Sequence, residues 1–183
     1  TKYLEVFTVR LVDITQKQYN HMTKKEKNTH KTLCESLRFQ TLWKAKNVYP
    51  SMTDEIVQRI NMEIEWIERQ KLVRGFLQLM TIMEAAYSQL DMSIGHENGF
   101  LSGSVVAYCL GLTDKDPIAE NQISPEFSQE SKIRNLNVGI RFDPDKRNTV
   151  ITLAEEKFGK SMMRTGVPIL KLDNIILEFH RNL

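Results

Sequence analysis

Ile56, Ile60, Ile64 and Ile67 recur every three or four positions, which gathers them into one apolar stripe along a helix. After Gly75 the period resumes through Phe76, Met80, Met83, Tyr87 and Leu90, so two successive helices are predicted, bent or broken near Gly75. Glu63, Glu65, Glu68 and Arg69 fall on the polar faces and read as solvated surface. Upstream, Thr23 stands three residues before Glu26, the spacing of a capping box. It opens a helix that runs through Leu33, Leu37 and Leu42 to Lys46. Pro50 ends the pattern, and Ser51 or Thr53 starts the next helix.

The strands show a different rhythm. Tyr3 to Ile14 (YLEVFTVRLVDI) is rich in β-branched and aromatic residues, whereas Thr15 to Asn28 is polar. Ile133 to Phe142 alternates Leu136, Val138, Ile140 and Phe142 with Asn137, Gly139 and Arg141. Ile169 to Leu172 and Ile175 to Phe179 flank Asp173-Asn174, a two-residue hairpin signal. Gly95 to Gly103 is a glycine-rich loop, after which Ser104 caps a short helix, Val105 to Leu110, that stops at Gly111. Asp114 to Lys132 contains Pro117 and Pro125 and is expected to be irregular; Asn148 to Phe158 is a helix ended by Gly159. The sum is an α+β protein, a mixed sheet with packed helices, forming one domain over residues 1–183. Residues 1–30 are a candidate N-terminal accessory element and 160–183 a C-terminal hairpin.

Composition narrows the classes. A chain of 183 residues buries roughly two-thirds of its extended surface and needs neither disulfide nor metal to hold a core. Its formal charge of +2 predicts no nucleic-acid footprint over the whole surface. Locally, however, Lys17 to Lys46 holds eight Lys/Arg against two Glu, and Thr113 to Asp145 seven acids against four bases. Lys24, Lys25, Lys27 and Lys31 therefore form either a solvated helix face or a nucleic-acid contact.

Cys34 and Cys109 are far apart in the chain, with no CxxC pair, so reduced thiols in a cytoplasmic protein are expected, and no zinc. No apolar run reaches membrane-spanning length, and neither a membrane partner nor a cofactor is implied. Thr1 in place of a starting Met suggests a trimmed fragment. His21, His30, His96 and His180 form no paired motif and read as surface or locally satisfied groups. Met80, Met83, Met162 and Met163 read as core filling.

Three stretches carry a resemblance. The first runs from Gly103-Ser104 through Val105-Val106-Ala107-Tyr108-Cys109-Leu110 to the turn Gly111-Leu112-Thr113-Asp114-Lys115-Asp116-Pro117. The second is the path from Phe127 to Phe142; the third is Val150-Ile151, Ala154-Glu155 and Lys157-Phe158-Gly159. Arg59 to Phe76 and, more weakly, Leu33-Cys34-Glu35 add to it. Together these resemble the palm region of the bacterial DNA polymerase III alpha-subunit family, over about 125 residues from Leu33 to Gly159. The resemblance implies a polymerase III-type, nucleotidyltransferase-like palm.

In that family alternating aspartates on one strand hold divalent metal ions. The matching positions here are Asn137, Gly139 and Arg141: a weak oxygen ligand, no side chain, and a fixed positive charge. Two closely spaced metals need converging anionic oxygens, so this pattern implies loss of metal binding. The family also has a Gly-Pro-Gly-Arg-Gly-Ser stretch approaching the nucleotide's phosphates. Its positions match Gly95, His96, Glu97, Asn98, Gly99 and Phe100, so the arginine is replaced by Asn98 and a glycine by Glu97. Gly99, Gly103 and Ser104 keep the backbone turn.

Asp143 and Asp145, beside Pro144 and Lys146, read as solvated turn carboxylates, and Asp114 and Asp116 as residues that fix a turn. The family palm further requires an aspartate beyond an inserted thumb, with fingers and a template-binding region, for which this chain is too short. The reading is a catalytically inactive palm-like module that acts through a protein partner or as a homo-oligomer, pairing by open strand edges. Its rivals are a nucleic-acid-binding domain using the basic helix and a residual nucleotide-binding or nucleotidyltransferase enzyme.

Overall fold

The computed structural model of the chain describes residues 5–12, 22–90, 99–131, 133, 135–142, 144–164, 167–171 and 175–179. Helix α1 (Lys24–Val48) begins with the expected capping box: Glu26 N donates to Thr23 Oγ1 at 3.2 Å, and Thr23 N donates to Glu26 Oε2 at 2.6 Å. Thr53 caps α2 (Asp54–Arg69), its Oγ1 accepting from Ile56 N at 3.3 Å. The four isoleucines of the predicted stripe are all buried, as are Phe76, Met80 and Met83 of α3 (Val73–Leu90). Burial of each such side chain contributes roughly 1.5–3 kcal/mol relative to exposure.

The break between α2 and α3 falls at Gln70–Leu72, not near Gly75, which is buried in the first turn of α3. Leu72 N donates to Ile67 O at 3.1 Å and Lys71 N to Glu68 O at 3.0 Å, the bond pair of a Schellman motif. Lys71 occupies its left-handed position at φ 62°. A glycine is favoured there but not required; the burial of Leu72, the apolar residue that closes the motif, decides where the helix stops. The short helix α4 (Val105–Cys109) ends the same way, with Gly111 at φ 76° and Leu112 N donating to Ala107 O at 2.9 Å.

Strands β1 (Glu5–Val12), β2 (Asn135–Phe142), β3 (Met162–Arg164), β4 (Val167–Lys171) and β5 (Ile175–Phe179) form one sheet in the order β2-β1-β5-β4-β3. The α+β class is as expected; the four described pairings are antiparallel throughout, not of mixed direction. The connections from β3 to β4 and from β4 to β5 are too short for the crossover that a parallel neighbour needs. Lys171 pairs with Ile176, so β4 and β5 flank the predicted turn, though Asp173 and Asn174 themselves lie outside the described residues. The outer parts of the predicted first strand, residues 3–4 and 13–14, also lie outside them.

Leu136, Val138 and Ile140 of β2 enter the core with Val150, Ile151 and Ala154 of α5 (Arg147–Phe158), which stops at Gly159 as predicted. Met162 and Met163 are not core residues: they are 63% and 68% exposed, because β3 is the edge strand. Among the described residues no helix is long and apolar enough to cross a membrane.

The two Schellman ends make opposite predictions. Lys71→Gly should stabilise the fold by about 0.5–1 kcal/mol by removing a side chain from a left-handed residue. Gly111→Ala should cost about 1 kcal/mol for the same reason, since the added methyl meets only Tyr87 Cε2 at 3.7 Å. Urea midpoints measured at unchanged m-value would read both.

Candidate functional site

Glu63, expected on a solvated face, is wholly buried. It stands three residues after Ile60 and four before Ile67, inside the apolar stripe, and points at the start of α4. Its Oε1 accepts from Val105 N at 3.0 Å, and its Oε2 from Val106 N at 2.9 Å and Ser104 Oγ at 2.8 Å. Arg59, one turn earlier on α2, donates from Nη2 to Glu63 Oε1 at 3.1 Å and to the carbonyls of Gly103 and Gln122, each at 3.1 Å. Each of these groups offers Glu63 a donor, which is what an ionised carboxylate needs. Burial pushes the carboxyl above its ordinary value, opposed by the bonds from Val106, Val105 and Ser104 and by the charge of Arg59.

The residues that survive in the glycine-rich loop have structural tasks at this point. A Cβ on Gly103 would lie 2.5 Å from both N and Oγ of Ser124 and 2.9 Å from the Ile123 carbonyl carbon. Ser124 N donates to Gly103 O at 3.2 Å, and Ser124 Oγ donates to Phe100 O. Ser104 caps α4 through Ala107 N at 3.1 Å. Phe100 is buried against Trp66 (5.7 Å between ring centroids), Phe76 (6.3 Å) and Phe127 (5.0 Å). A cavity of about 510 Å³ is lined by residues of the Phe100–Gly103 turn and by residues 121–126; its described lining includes Glu126 and no Lys or Arg. Gly95, Glu97 and Asn98 lie outside the described residues; Gly99 is exposed.

The turn after α4 is also built from within. Asp116 Oδ1 accepts from Ile118 N at 2.9 Å and from Tyr49 Oη–H at 2.8 Å, so this carboxylate fixes the turn, as the sequence suggested. Burial and that hydrogen bond raise the Tyr49 phenol well above its usual value.

The second candidate site is β2. Asn137, Gly139 and Arg141 occupy alternate positions, opposite Arg10, Thr8 and Val6 of β1 respectively. Directly opposite residues share a sheet face, so Arg10 joins this set. Beyond it, Arg10 pairs with Ile176 and Thr8 with Glu178 of β5. The approach to β2 is held by α2: Trp66 Nε1 donates to Gln129 O at 3.3 Å, and buried Gln70 bonds Ser131 O and Ile133 N at 3.3 and 2.9 Å.

Asp145 is exposed in the turn Pro144–Lys146, and Asp143 lies outside the described residues. Among the described residues no three His, Cys, Asp or Glu side chains are grouped to hold a metal ion. Lys24, Lys25, Lys27 and Lys31 occupy the first two turns of α1; Lys24, Lys25 and Lys31 are exposed and Lys27 is half-buried. Of the histidines only His30 is described, 3.7 Å from Cys34 Sγ, where burial lowers its pKa. Both cysteines are free, and burial pushes Cys109 up to about 12.

The sequence model of the bacterial DNA polymerase III alpha NTPase domain matches residues 10–172. The chain belongs to this family. Among curated relatives, the error-prone DNA polymerase of Mesorhizobium japonicum is 31% identical over 120 residues, 65% of this chain and 10% of that protein. The DNA polymerase III subunit alpha of Aquifex aeolicus is 29% identical over 107 residues, 58% of this chain and 9% of its own length. That of Campylobacter jejuni is 26% identical over 127 residues, 69% and 10% respectively. The chain thus spans about a tenth of the length of the curated relatives it matches.

Glu63→Ala should cost about 3–5 kcal/mol in denaturant unfolding, because it strands Arg59 and the donors at the start of α4. Gly103→Ala should be comparably damaging through its contact with Ser124 backbone. Cys109 should stay unlabelled by a thiol reagent in the folded chain and react on unfolding. Because the unfolded thiol ionises near about 8.5 and the folded one only near about 12, stability should decline as pH rises through that window.

Proposed function

We propose that this chain is a palm-like module of the polymerase III alpha family that no longer performs phosphoryl transfer and serves as an interaction or accessory unit, with a protein partner or a second copy of itself. The observation that carries this reading is the face of β2 on which Asn137, Gly139 and Arg141 stand beside Arg10 of β1. Phosphoryl transfer assisted by two metal ions needs anionic oxygens converging from neighbouring positions. A glycine, an amide and two arginines supply no such charge, Glu178 is a single carboxylate two strands from Gly139, and an arginine at this place repels a divalent cation.

The start of α4 supports the same reading. Its backbone donors, the kind of group that elsewhere receives a phosphate, are bound by Glu63, and Phe100 roots the preceding turn in an aromatic cluster. In this chain those donors and that turn are committed to internal contacts.

The direct test is incubation of the purified chain with a primed template, deoxynucleoside triphosphates and Mg²⁺ or Mn²⁺. Neither primer extension nor pyrophosphate release is expected. Metal-dependent turnover that tracks the folded protein through purification would overturn the proposal.

A further inference from the structure

Helix α1 carries an aromatic pair that the fold does not use. Phe39 and Trp43, one turn apart, are 61% and 60% exposed, with rings stacked at 6.1 Å between centroids and 18° between planes. They face away from Leu37, Thr41 and Ala45, through which α1 packs on the rest of the protein. At 3.6 residues per turn, Lys25, Thr32, Phe39, Trp43 and Lys46 lie along one stripe, with Lys24 and Lys31 to one side. All seven are exposed. The stripe from Lys25 to Lys46 is about 31 Å long at 1.5 Å per residue. Glu35 is its one acidic side chain next to the rings.

We infer that this face of α1 binds single-stranded nucleic acid, with unpaired bases stacking on Phe39 and Trp43 and phosphates running along Lys24, Lys25, Lys31 and Lys46. Both parts of the recognition are present together. Aromatic planes open to solvent accept a base of any sequence, and lysines on either side of them follow the phosphate chain. The lysines alone mark only a basic helix; the aromatic pair specifies a strand whose bases are free to stack.

A protein partner fits the surface less well. Along the helix the rings are bordered by Glu35, Ser36, Gln40, Lys46 and Asn47 and by half-buried Leu42, so the exposed apolar area is small. A stable protein interface buries about 800 Å² per partner around a larger apolar centre. The inference is independent of whether the β2 face is active.

Trp43 supplies its own readout, since the chain's other tryptophan, Trp66, is 1% exposed. Titration with oligothymidylate should quench Trp43 emission saturably. Affinity should fall with salt at a log–log slope of about −0.7 for each phosphate contacted. By anisotropy of a labelled oligonucleotide, Trp43→Phe should bind nearly as the parent does. Trp43→Ala and Phe39→Ala should each weaken binding about five- to a hundred-fold, the range for loss of one stacked base. Replacing Lys24, Lys25, Lys31 and Lys46 by Gln should flatten the salt slope, and a duplex of equal length should bind more weakly than the single strand. Because all these side chains are exposed, the variants should fold as the parent does, checked by circular dichroism. No binding, binding indifferent to both alanine variants, or equal binding of duplex would overturn the inference. So would concentration-dependent shielding of Trp43 from acrylamide without nucleic acid, which would assign the aromatic pair to a contact between copies of the chain.

Discussion

The carboxylate of Glu63, buried on α2 and bound to the first two amides of α4, is the contact on which the rest of the structure depends. A helix of five residues is far too short to persist alone, and its opening amides have no partners within the helix. Glu63 supplies both the partners and a negative charge at the positive end of the helix dipole. Arg59 balances that charge and extends the network to the carbonyls of Gly103 and Gln122. The same helix α2 then reaches the approach to β2 through Trp66 and Gln70. One helix thereby sets the position of both the Phe100–Gly103 turn and the approach to β2.

This arrangement separates what the family motif does for the fold from what it does for chemistry. Gly103 is required by the close approach of Ser124, Gly111 is favoured by a left-handed helix end, Ser104 caps α4, and Asp116 fixes the turn it shares with Tyr49. These residues carry the resemblance from Gly103 to Pro117, and each has an internal physical reason to be there. Asn137, Gly139 and Arg141 alternate with the core residues Leu136, Val138 and Ile140. Packing on the core side fixes β2 without placing the same demand on the alternate positions. The core positions of β2 and the positions that alternate with them are therefore under separate physical constraints.

Much of this was legible in the sequence. Thr23 with Glu26 marked a helix start, the isoleucine stripe marked the core face of α2, and the alternation in β2 marked its two faces, because each rests on short-range geometry. The burial of Glu63 was missed because a glutamate among Glu65, Glu68 and Arg69 looks solvated until its place within the stripe is noticed. Only the tertiary contact with α4 explains how the charge is tolerated. Gly75 misled for a related reason: glycine is a local signal for a break, whereas the actual break was set by burial of Leu72 with Lys71 bearing the left-handed turn. Of the sheet partners only β4 with β5 was legible, through the short hairpin connection, whereas the pairing of Arg10 with Asn137 joins residues more than a hundred positions apart. Nothing in the sequence pattern set Phe39 and Trp43 apart; their exposure follows from how α1 packs.

The central claim is that the palm scaffold stands without the metal chemistry of its family, and the backbone amides of β2 report on it most directly. Titration with Mn²⁺, followed by paramagnetic broadening of amide resonances, should leave residues 136–142 no more affected than the average exposed amide. Selective, saturable broadening centred on Asn137, Gly139 and Arg141 at low Mn²⁺, reversed by excess Mg²⁺, would contradict the account.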